Sequence, residues 1–593
     1  MKTFFGSMLG SFLGGIIGLL IIFFITIGIV AGLMKSIKTK DEKHIYSNSI
    51  LEIKLNHDIK ERTSENPFNF DFDDDNTAIR ETAGLDDIIA CIHNAATDNK
   101  IKGIYLNLSD IPAGISTIET IRKELQNFKT TSGKFIIAYG IGYSQKSYYL
   151  ASVADKVYLY PEGEVFLKGL SIELIFYKKA LDKLGVQVQV FRHGRFKSFV
   201  EPYILDKMSP DNKLQLRGLI TSLWRDMLSD IADSRHLTTI AINGMADSLS
   251  INSAKEALKY KLVDSLLYPD QIKEKLKTTG VVIVNKKDTE IHLVGLDEYR
   301  RSFSTYKISS SKIVVVYANG DITQGEGDDE TIGSARISRV IREARLDPEV
   351  KAIVLRVNSP GGDGIASDII WREVELAKKA KPVIVSMGDY AASGGYYISC
   401  DATEIVAEPT TITGSIGVFG LLPNAKELLE DKLGITTDTV STNTHSSALS
   451  ISYPLDSKSS MVLQNAIEDF YHTFLTRVSD GRNMTVANVD SIGQGRVWSG
   501  EQARKIGLVD TFGSLQVAIN IAAKKASLKD YKIEELPKQI NPLNKLLKDV
   551  SNKASETFLQ EKLGDMYKPL EDLSKLQSTK GVQARMPYDM NIQ

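Results

Sequence analysis

One serine of this 593-residue chain lies in a setting that suits nucleophilic chemistry. Ser393 stands in the run Ala391-Ala-Ser-Gly-Gly-Tyr396, after a strand-like segment and before residues that favour a short helix. Small neighbours leave a serine hydroxyl accessible at such a junction, and a helix N-terminus stabilises negative charge that develops there. A serine at the same place can instead cap the helix, which is its commonest role. Both roles are compatible with the local residues.

A second segment could supply the hydrogen-bond donors that acyl chemistry requires. The strand-like residues that end at Val357 run into Asn358-Ser-Pro-Gly-Gly-Asp363. Two adjacent glycines let the backbone turn so that N–H groups face a pocket without a Cβ in the way. Such donors can form an oxyanion hole. A Pro-Gly-Gly segment can equally be no more than a turn.

A nucleophilic serine also needs a base, and no Ser-His-Asp triad is visible around Ser393. A lysine can serve instead when burial brings its pKa from about 10.4 toward the working pH. Residue types and spacing do not indicate which lysine this would be, because most lysines are solvated surface charges.

The elements that would position these residues occur twice along the chain. The matched segments are 101–108 with 350–357, 134–139 with 382–387, 147–152 with 395–400, and 257–264 with 503–510. The offset between partners changes only from 249 to 246 residues, so the order of the segments is kept. In this alignment Ser393 corresponds to Gln145, and Lys146 and Ser147 replace the two glycines that follow the serine.

Each repeat alternates strand-like runs with helical stretches, which predicts an α/β fold built on a mostly parallel sheet. We expect an N-terminal segment at 1–44, repeats at 45–300 and 301–540, and a helical tail at 541–593, where spaced leucines lie among many charges. Lys plus Arg (72) nearly balance Asp plus Glu (74), which argues against nucleic acid as the main partner. Two cysteines and no HExxH motif argue against a disulfide framework and a zinc hydrolase.

The N-terminal segment contains a long apolar run. No formal charge occurs from Thr3 to Met34, and a membrane-spanning helix needs about 20 such residues. The run exceeds the apolar region of a cleavable signal sequence, so we expect one transmembrane helix. Four lysines follow the run closely and only Lys2 precedes it. By the positive-inside rule, this distribution would keep the rest of the chain in the cytoplasm.

Four segments together resemble signal peptide peptidase A in its long, duplicated bacterial form, a Ser–Lys peptidase of the Clp and crotonase-like superfamily. The segments are Asn358-Ser-Pro-Gly-Gly-Asp363, Ala391-Ala-Ser-Gly-Gly-Tyr396, Thr413-Gly-Ser-Ile-Gly417 and Phe196-Lys-Ser-Phe-Val-Glu-Pro202. The resemblance covers roughly residues 45–540 and implies two tandem Clp/crotonase-like domains after one N-terminal transmembrane helix.

The resemblance implies a role for five residues. Ser393 would be the nucleophile and Lys197 the general base, with Ser415 hydrogen-bonded to the lysine to orient it. Gly362 and Gly394 would supply the N–H groups of the oxyanion hole. The base would thus come from the first repeat and the nucleophile from the second. Residues 442–447, which correspond to the Lys197 region, contain no lysine.

The resemblance also implies a function. It describes a serine endopeptidase, anchored in the bacterial cytoplasmic membrane, that degrades cleaved signal peptides, assembles as a homotetramer and needs no cofactor or metal. It places the catalytic domains on the extracytoplasmic side, against the lysine count. Two other functions stay open, a crotonase-like enzyme that acts on acyl-CoA thioesters and a non-catalytic membrane scaffold. The Ser-Gly-Gly run fits the first poorly, and the intact Ser393, Lys197 and Ser415 argue against the second.

Overall fold

The computed structural model describes residues 45–63, 83–280, 292–304, 308–539 and 581–586, together with Gly18. Strands and helices alternate through these ranges, which confirms the α/β prediction. The strands are β1 (Ser49–Ile53), β2 (Ile101–Asn107), β3 (Phe135–Gly140), β4 (Lys156–Leu159), β5 (Gln187–Arg192), β6 (Ser265–Leu266), β7 (Leu293–Gly295), β8 (Lys312–Asn319), β9 (Asp321–Thr323), β10 (Thr331–Gly333), β11 (Val350–Ser359), β12 (Gly361–Asp363), β13 (Val383–Ala392), β14 (Glu404–Ala407), β15 (Ile412–Gly414), β16 (Phe419–Asn424), β17 (Val497–Ser499), β18 (Thr511–Phe512), β19 (Lys532–Leu536) and β20 (Gln583–Arg585).

Helices connect most of these strands. They are α1 (Leu85–Thr97), α2 (Ile115–Ser132), α3 (Gln145–Ala151), α4 (Lys178–Leu184), α5 (Glu201–Ile204), α6 (Pro210–Arg235), α7 (Thr239–Asp247), α8 (Ala254–Lys259), α9 (Pro269–Gly280), α10 (Leu296–Arg301), α11 (Ser334–Leu346), α12 (Gly364–Ala380), α13 (Gly394–Tyr397), α14 (Ser457–Arg482), α15 (Val486–Ile492), α16 (Gly500–Lys505) and α17 (Leu515–Lys525). A 3₁₀ turn at Ser198–Val200 and a π-helical turn at Leu428–Lys432 complete the regular structure of the described ranges.

The two repeats build sheets of the same topology. In the first sheet the strand order is β6-β4-β3-β2-β1-β7, and all pairs are parallel. In the second sheet the corresponding order is β18-β14-β13-β11-β8-β19, again parallel throughout. The strands β15 and β17 extend the second sheet beside β13. The internal repeat read from the sequence is therefore a repeat of architecture.

Matching hydrogen bonds support the same alignment. The Tyr148 hydroxyl donates to the carbonyl of Leu262 at 2.7 Å, and the Tyr396 hydroxyl donates to that of Leu508 at 3.0 Å. These four residues are partners in the sequence alignment. Each bond ties the short helix after β3 or β13 to the Leu-Val-Asp segment near the end of the same repeat.

A third sheet, the mixed sheet, draws its strands from both repeats. Its order is β10-β9-β12-β20-β16-β5, in which β5 belongs to the first repeat and β20 to the C-terminal tail. The pairing of β5 with β16 is antiparallel and extends over six residue pairs, from Arg192 opposite Phe419 to Gln187 opposite Asn424. Lys197 follows Arg192 by five residues, so this pairing brings its loop to the second repeat.

Buried polar contacts also join the repeats. The Arg356 guanidinium, on β11, donates to the Glu61 carboxylate at 2.8 Å, and both side chains are about 5% exposed or less. The Asp389 carboxylate accepts hydrogen bonds from the backbone N–H and the hydroxyl of Thr117, at 2.9 and 2.6 Å. Burial raises the pKa of Asp389. Because buried charges need such partners, these contacts fix how the repeats meet.

The segment Pro360-Gly361-Gly362, called the glycine turn here, lies where β11 leads into α12. The strand is buried along most of its length, as expected for a parallel strand covered on both faces. At the end of the short strand β12, the Asp363 carboxylate accepts a hydrogen bond from Ala366 N at 2.7 Å and caps α12. This strand–turn–helix arrangement holds Gly361 and Gly362 at the carboxyl end of the sheet.

The predicted transmembrane helix lies outside the described residues, apart from Gly18. Among the helices that the structure describes, none is both long enough and apolar enough to cross a membrane. Most of the tail at 541–593 also lies outside the described ranges. Where it is described, at 581–586, its regular structure is the strand β20 and not the helix that the sequence predicts. The backbone is extended there because β12 and β16 offer hydrogen-bonding edges on both sides.

Candidate active site

Three of the predicted site residues meet at one point in the interior. Lys197 Nζ lies 2.8 Å from Ser393 Oγ, 3.1 Å from Ser415 Oγ and 3.2 Å from the Ser415 carbonyl oxygen. All three residues are fully buried. Lys197 follows β5, Ser393 follows β13 and Ser415 follows β15, so a strand end from each of three segments positions one side chain.

The backbone at Ser393 takes a conformation that is rare for a residue with a side chain. Its φ of 54° and ψ of −113° place the serine in a sharp turn between β13 and α13. The Ser393 N–H donates to the Gly414 carbonyl at 2.8 Å, which fixes the turn against β15. Strain of this kind persists only where surrounding contacts hold it, and it is concentrated at functional sites.

The side chain of Ser393 does not cap the helix that follows it. Ser393 occupies the N-cap position of α13, but its side chain makes no capping hydrogen bond, and its Oγ lies against Lys197 Nζ. In the first repeat the capping role is filled by Ser144, whose Oγ accepts from Ser147 N at 3.3 Å. The Ser393 hydroxyl is thus free of the helix and directed to the lysine.

The environment of Lys197 favours a neutral amine. Burial lowers the pKa of Lys197 well below its usual range, because an ammonium loses its hydration in the interior. No carboxylate within the described ranges forms an ion pair with Nζ to oppose this effect. Hydroxyl and carbonyl oxygens are its only polar neighbours among these residues.

Close backbone packing holds the Lys197 loop. A Cβ added to Gly495, which has φ of +79°, would lie 2.6–2.7 Å from the N, Cα and Cβ atoms of Lys197. The Phe196 N–H donates to the Gln494 carbonyl at 2.9 Å, and Gln215 Nε2 donates to the Phe196 carbonyl at 2.9 Å. Gln494 and Gly495 of the second repeat are therefore in direct contact with the loop that carries Lys197.

The glycine turn lies beside the buried serine. Gly361 has φ of +105°, and a Cβ there would lie 2.8 Å from Gly394 N and 2.1 Å from the carbonyl oxygen of Ala584. Gly362 is the next residue on β12 and is paired with Ala584 of β20. The structure thus places Gly361 against Gly394, the residue after Ser393, and both Gly361 and Gly362 beside Ala584 of the tail.

The corresponding position of the first repeat is filled by its own side chains. Gln145 Oε1 accepts hydrogen bonds from Lys168 N and Gly169 N, at 3.1 and 2.9 Å. Lys146 Nζ donates to the Ala113 carbonyl at 3.0 Å, in the segment that replaces the glycine turn. Gln145 therefore supports the loop at Lys168 and Gly169, and Lys146 is bonded to the segment that corresponds to the glycine turn.

A family model now decides between the open functions. The model described as Peptidase family S49 matches residues 129–282 and 375–529, one match in each repeat. Together these ranges cover more than half of the chain.

The chain belongs to peptidase family S49.

Several relatives of the S49 chain are themselves proteases. It is 40% identical to Protease 4 of Salmonella typhi, over 76% of this chain and 73% of the relative. It is 32% identical to the chloroplastic serine protease SPPA of Arabidopsis thaliana, over 83% of this chain and 72% of the relative. A protein of Enterococcus faecium with the name "Putative signal peptide peptidase SppA" is 32% identical, over 45% of this chain and 78% of the relative. The S49 chain is a serine peptidase that acts on peptides.

The family match argues against both alternatives to a peptidase, the acyl-CoA enzyme and the non-catalytic scaffold.

Some of the residues around Lys197 carry a signal in the sequence, and others carry none. Gln215 and Gly495, which hold the Lys197 loop, were not identified from the sequence. Gly495 lies in the run Gly493-Gln-Gly-Arg496, where two glycines so close together could have indicated tight backbone packing. Gln215 lies within the long helix α6 and has no such signal.

Proposed function

We propose that this S49 chain is a membrane-anchored serine endopeptidase that degrades cleaved signal peptides through a Ser393–Lys197 dyad. The observation that carries the proposal is the 2.8 Å contact between a fully buried amine and a buried serine hydroxyl. A neutral lysine has two N–H donors and one lone pair. When the donors bond to the two oxygens of Ser415, the lone pair is left to accept the Ser393 proton.

The reaction is acyl transfer. Lys197 takes the proton of Ser393 as Oγ attacks the peptide carbonyl, and the amides of Gly362 and Gly394 stabilise the oxyanion. The Lys197 ammonium then protonates the leaving amine as the C–N bond breaks. Water attacks the resulting ester with Lys197 again acting as base, and Ser393 is released. Ser415 keeps Nζ in line with Ser393 throughout.

Burial and strain both support this division of roles. Burial lowers the pKa of Lys197 well below its usual range, so a larger fraction of the amine is neutral and available as a base at a given pH. The turn at Ser393 aims the hydroxyl away from the helix it precedes. The first repeat, in which Gln145 replaces the serine, contributes the base alone.

The substrate class and the membrane attachment rest on other observations. The name of the Enterococcus faecium relative supports signal peptides as substrates. The uncharged run from Thr3 to Met34 supports a single transmembrane anchor in the bacterial cytoplasmic membrane. The resemblance to signal peptide peptidase A supports a homotetramer with its catalytic domains outside the cytoplasm, although the lysines after the run favour the opposite orientation.

Covalent labelling tests the dyad. A fluorophosphonate probe should label the full-length chain at Ser393, and a tryptic digest should locate the adduct. Ser393→Ala should abolish labelling, and Lys197→Ala should slow it strongly because the hydroxyl loses its base. Labelling that persists in Ser393→Ala, or that is unchanged in Lys197→Ala, would overturn the assignment.

Protease protection tests the orientation. Protease added to spheroplasts should digest the large domain if it is extracytoplasmic. Protection of the whole domain until lysis would show that the lysine count, and not the resemblance, gives the topology. Sedimentation of the detergent-solubilised chain tests the tetramer, and a monomer at the concentration used for turnover would contradict it.

A further inference from the structure

The side-chain amide of Gln215 is bonded to both neighbours of Lys197. Gln215 lies on α6 and is 1% exposed. Its Nε2 donates to the carbonyl of Phe196 and to the hydroxyl of Ser198, each at 2.9 Å. Phe196 directly precedes Lys197 in the chain, and Ser198 directly follows it. One buried amide group therefore holds the residues on both sides of the lysine.

The oxygen of the same amide reaches the second repeat. Val497 N, at the start of β17, donates to Gln215 Oε1 at 3.3 Å. The carbonyl of the same peptide group is that of Arg496, and it accepts from Ser415 N at 2.7 Å. Both oxygens of Ser415 in turn lie within hydrogen-bond distance of Lys197 Nζ. Gln215 is thus connected to the lysine from two directions, through the lysine's own loop and through Ser415.

This connection continues to the nucleophile. The Gly414 carbonyl shares a peptide group with the Ser415 N–H, and it accepts from Ser393 N at 2.8 Å. Four hydrogen bonds therefore run in series from the Ser393 N–H, through two peptide groups and the Gln215 amide, to the Phe196 carbonyl. Each group in the series accepts at one end and donates at the other, and hydrogen bonds aligned in this way polarise and strengthen one another.

Only one orientation of the Gln215 amide satisfies these partners. An amide oxygen accepts hydrogen bonds, and an amide NH2 group donates them. If the two were exchanged, Oε1 would face the carbonyl oxygen of Phe196, and the NH2 group would face the N–H of Val497. Both contacts would be repulsive, and buried groups left without partners are costly. The position therefore requires a side chain that accepts from the second repeat and donates to the lysine loop.

The second repeat has no amide at the corresponding position. The helices α6 and α14 each contain 26 residues, and both ends of α14 lie 247 residues after those of α6. Gln215 therefore corresponds to Val462, which is 54% exposed. The second repeat also has no lysine in the segment 442–447, which corresponds to the Lys197 region. The amide thus occurs in the repeat that contains the base and not in the other.

We propose that Gln215 is a positioning residue, which fixes Lys197 relative to Ser393 and Ser415 by joining the backbones that carry them. The proposal rests on the proposed function. The remaining bond of Gln215 goes to Asn212 Oδ1 at 3.1 Å, and among the described residues none goes to Lys197 Nζ or Ser393 Oγ. Gln215 therefore acts through the backbone, and the step it affects is proton transfer from the serine to the lysine. A displacement of about 1 Å at such a step lowers the rate on the order of 100-fold.

Gln215→Met tests this role, with Gln145→Met as the matched control. Gln145 is also a buried glutamine of the first repeat, and its amide bonds to backbone groups of Lys168 and Gly169. Both variants should show lower denaturation midpoints. Gln215→Met should lower kcat about 10-fold or more with KM within about threefold, because a buried side chain does not contact the peptide. Gln145→Met should leave kcat and KM within about threefold, and equal kcat values for the two variants would overturn the proposal.

A double variant tests whether Gln215 acts through the lysine. In the Lys197→Ala chain there is no base to position, so Gln215→Met should not slow fluorophosphonate labelling of Ser393 any further. A further decrease as large as that in the wild type would show that Gln215 acts independently of Lys197, and would overturn the proposal. If Gln215→Met does not fold, Gln215→Asn carries the same predictions with Gln145→Asn as its control, because its amide is one methylene shorter and cannot bond to Phe196 and Val497 together.

The single variants of the dyad separate this proposal from the proposed function. If Ser393→Ala or Lys197→Ala turns over a peptide at close to the wild-type rate, the proposed function itself is wrong. If both are inactive and Gln215→Met keeps the wild-type kcat, the dyad stands and the role assigned to Gln215 is wrong.

Discussion

Lys197 Nζ and Ser393 Oγ are 2.8 Å apart although 196 residues separate the two in the chain. The lysine comes from the first repeat and the serine from the second, and neither side chain is exposed to solvent. The contact exists because β5 leaves the first repeat and pairs with β16 of the second. The contact between the two side chains therefore depends on one pairing between the repeats.

The dyad should behave as one unit. Ser393→Ala and Lys197→Ala should each lower kcat/KM for a peptide by roughly 10³-fold or more, and the double variant should be hardly slower than either single one. Circular dichroism and sedimentation should show that folding and assembly are retained. Near-normal turnover by purified Lys197→Ala would contradict the assigned role.

Activity should rise with pH. Only the neutral form of Lys197 can accept the serine proton, and burial lowers the pKa of Lys197 well below its usual range. We expect kcat/KM to increase through that lowered pKa and then to level off on the alkaline side. A flat profile from acid to alkaline pH, with the chemical step shown to limit the rate, would point to another base.

Ser415 and Gln145 should differ in what they affect. Ser415→Ala removes a hydroxyl 3.1 Å from Lys197 Nζ and should lower kcat about 10-fold or more. Gln145→Ala leaves the backbone N–H groups of Lys168 and Gly169 without their acceptor. It should lower the free energy of unfolding by about 1–3 kcal/mol while kcat stays within a few-fold. The opposite pattern would place the active site in the first repeat.

A single methyl group at Gly495 should damage catalysis from outside the dyad. A Cβ there would lie 2.6–2.7 Å from backbone atoms and Cβ of Lys197, so the Gly495→Ala chain must displace the lysine loop. Displacements of this kind lower kcat by about 10-fold or more. Gly133→Ala is the control, because Gly133 also has a positive φ, of 66°, but no atom lies within 4 Å of its Cβ position. The control should lower the free energy of unfolding by about 1 kcal/mol and leave kcat unchanged. Equal kcat values for the two variants would contradict the prediction.

Lys197 should also make stability depend on pH. Its folded pKa lies below the unfolded value of about 10.4, so between the two values the unfolded chain binds more protons. The free energy of unfolding should therefore rise with pH across that window, by up to about 1.4 kcal/mol per pH unit. Lys197→Met lacks this dependence and should be more stable than the wild type at neutral pH. Denaturation midpoints at several pH values should show the difference narrowing as pH rises, and a constant difference would contradict burial as the cause.

The repeat and the fold class could be predicted from the sequence because the buried strands are continuous apolar runs with a fixed order. Ser393 could be singled out because its small neighbours have no counterpart around Gln145. The choice between nucleophile and helix cap could not be made, since it depends on the contact with Lys197, which lies in the other repeat. For the same reason the lysine was identified by resemblance and not by its own surroundings.

The strand at Gln583–Arg585 shows a different limit of sequence analysis. Spaced leucines in the tail indicate helix, and a segment of three residues carries almost no strand signal of its own. Its conformation is decided by β12 and β16, which come together only when the mixed sheet forms. A local pattern cannot report a partner so distant in the chain.

The pairing of β5 with β16 has a consequence for how the molecule loses its structure. Two repeats that merely followed each other could melt one at a time, as domains joined by a linker often do. Here, melting of the first repeat would strip a strand from the mixed sheet and leave Arg356 and Asp389 of the second repeat without their partners Glu61 and Thr117. Such losses are severe. Calorimetry should accordingly record one cooperative heat-absorption peak for both repeats, and limited proteolysis should release neither repeat as a stable fragment.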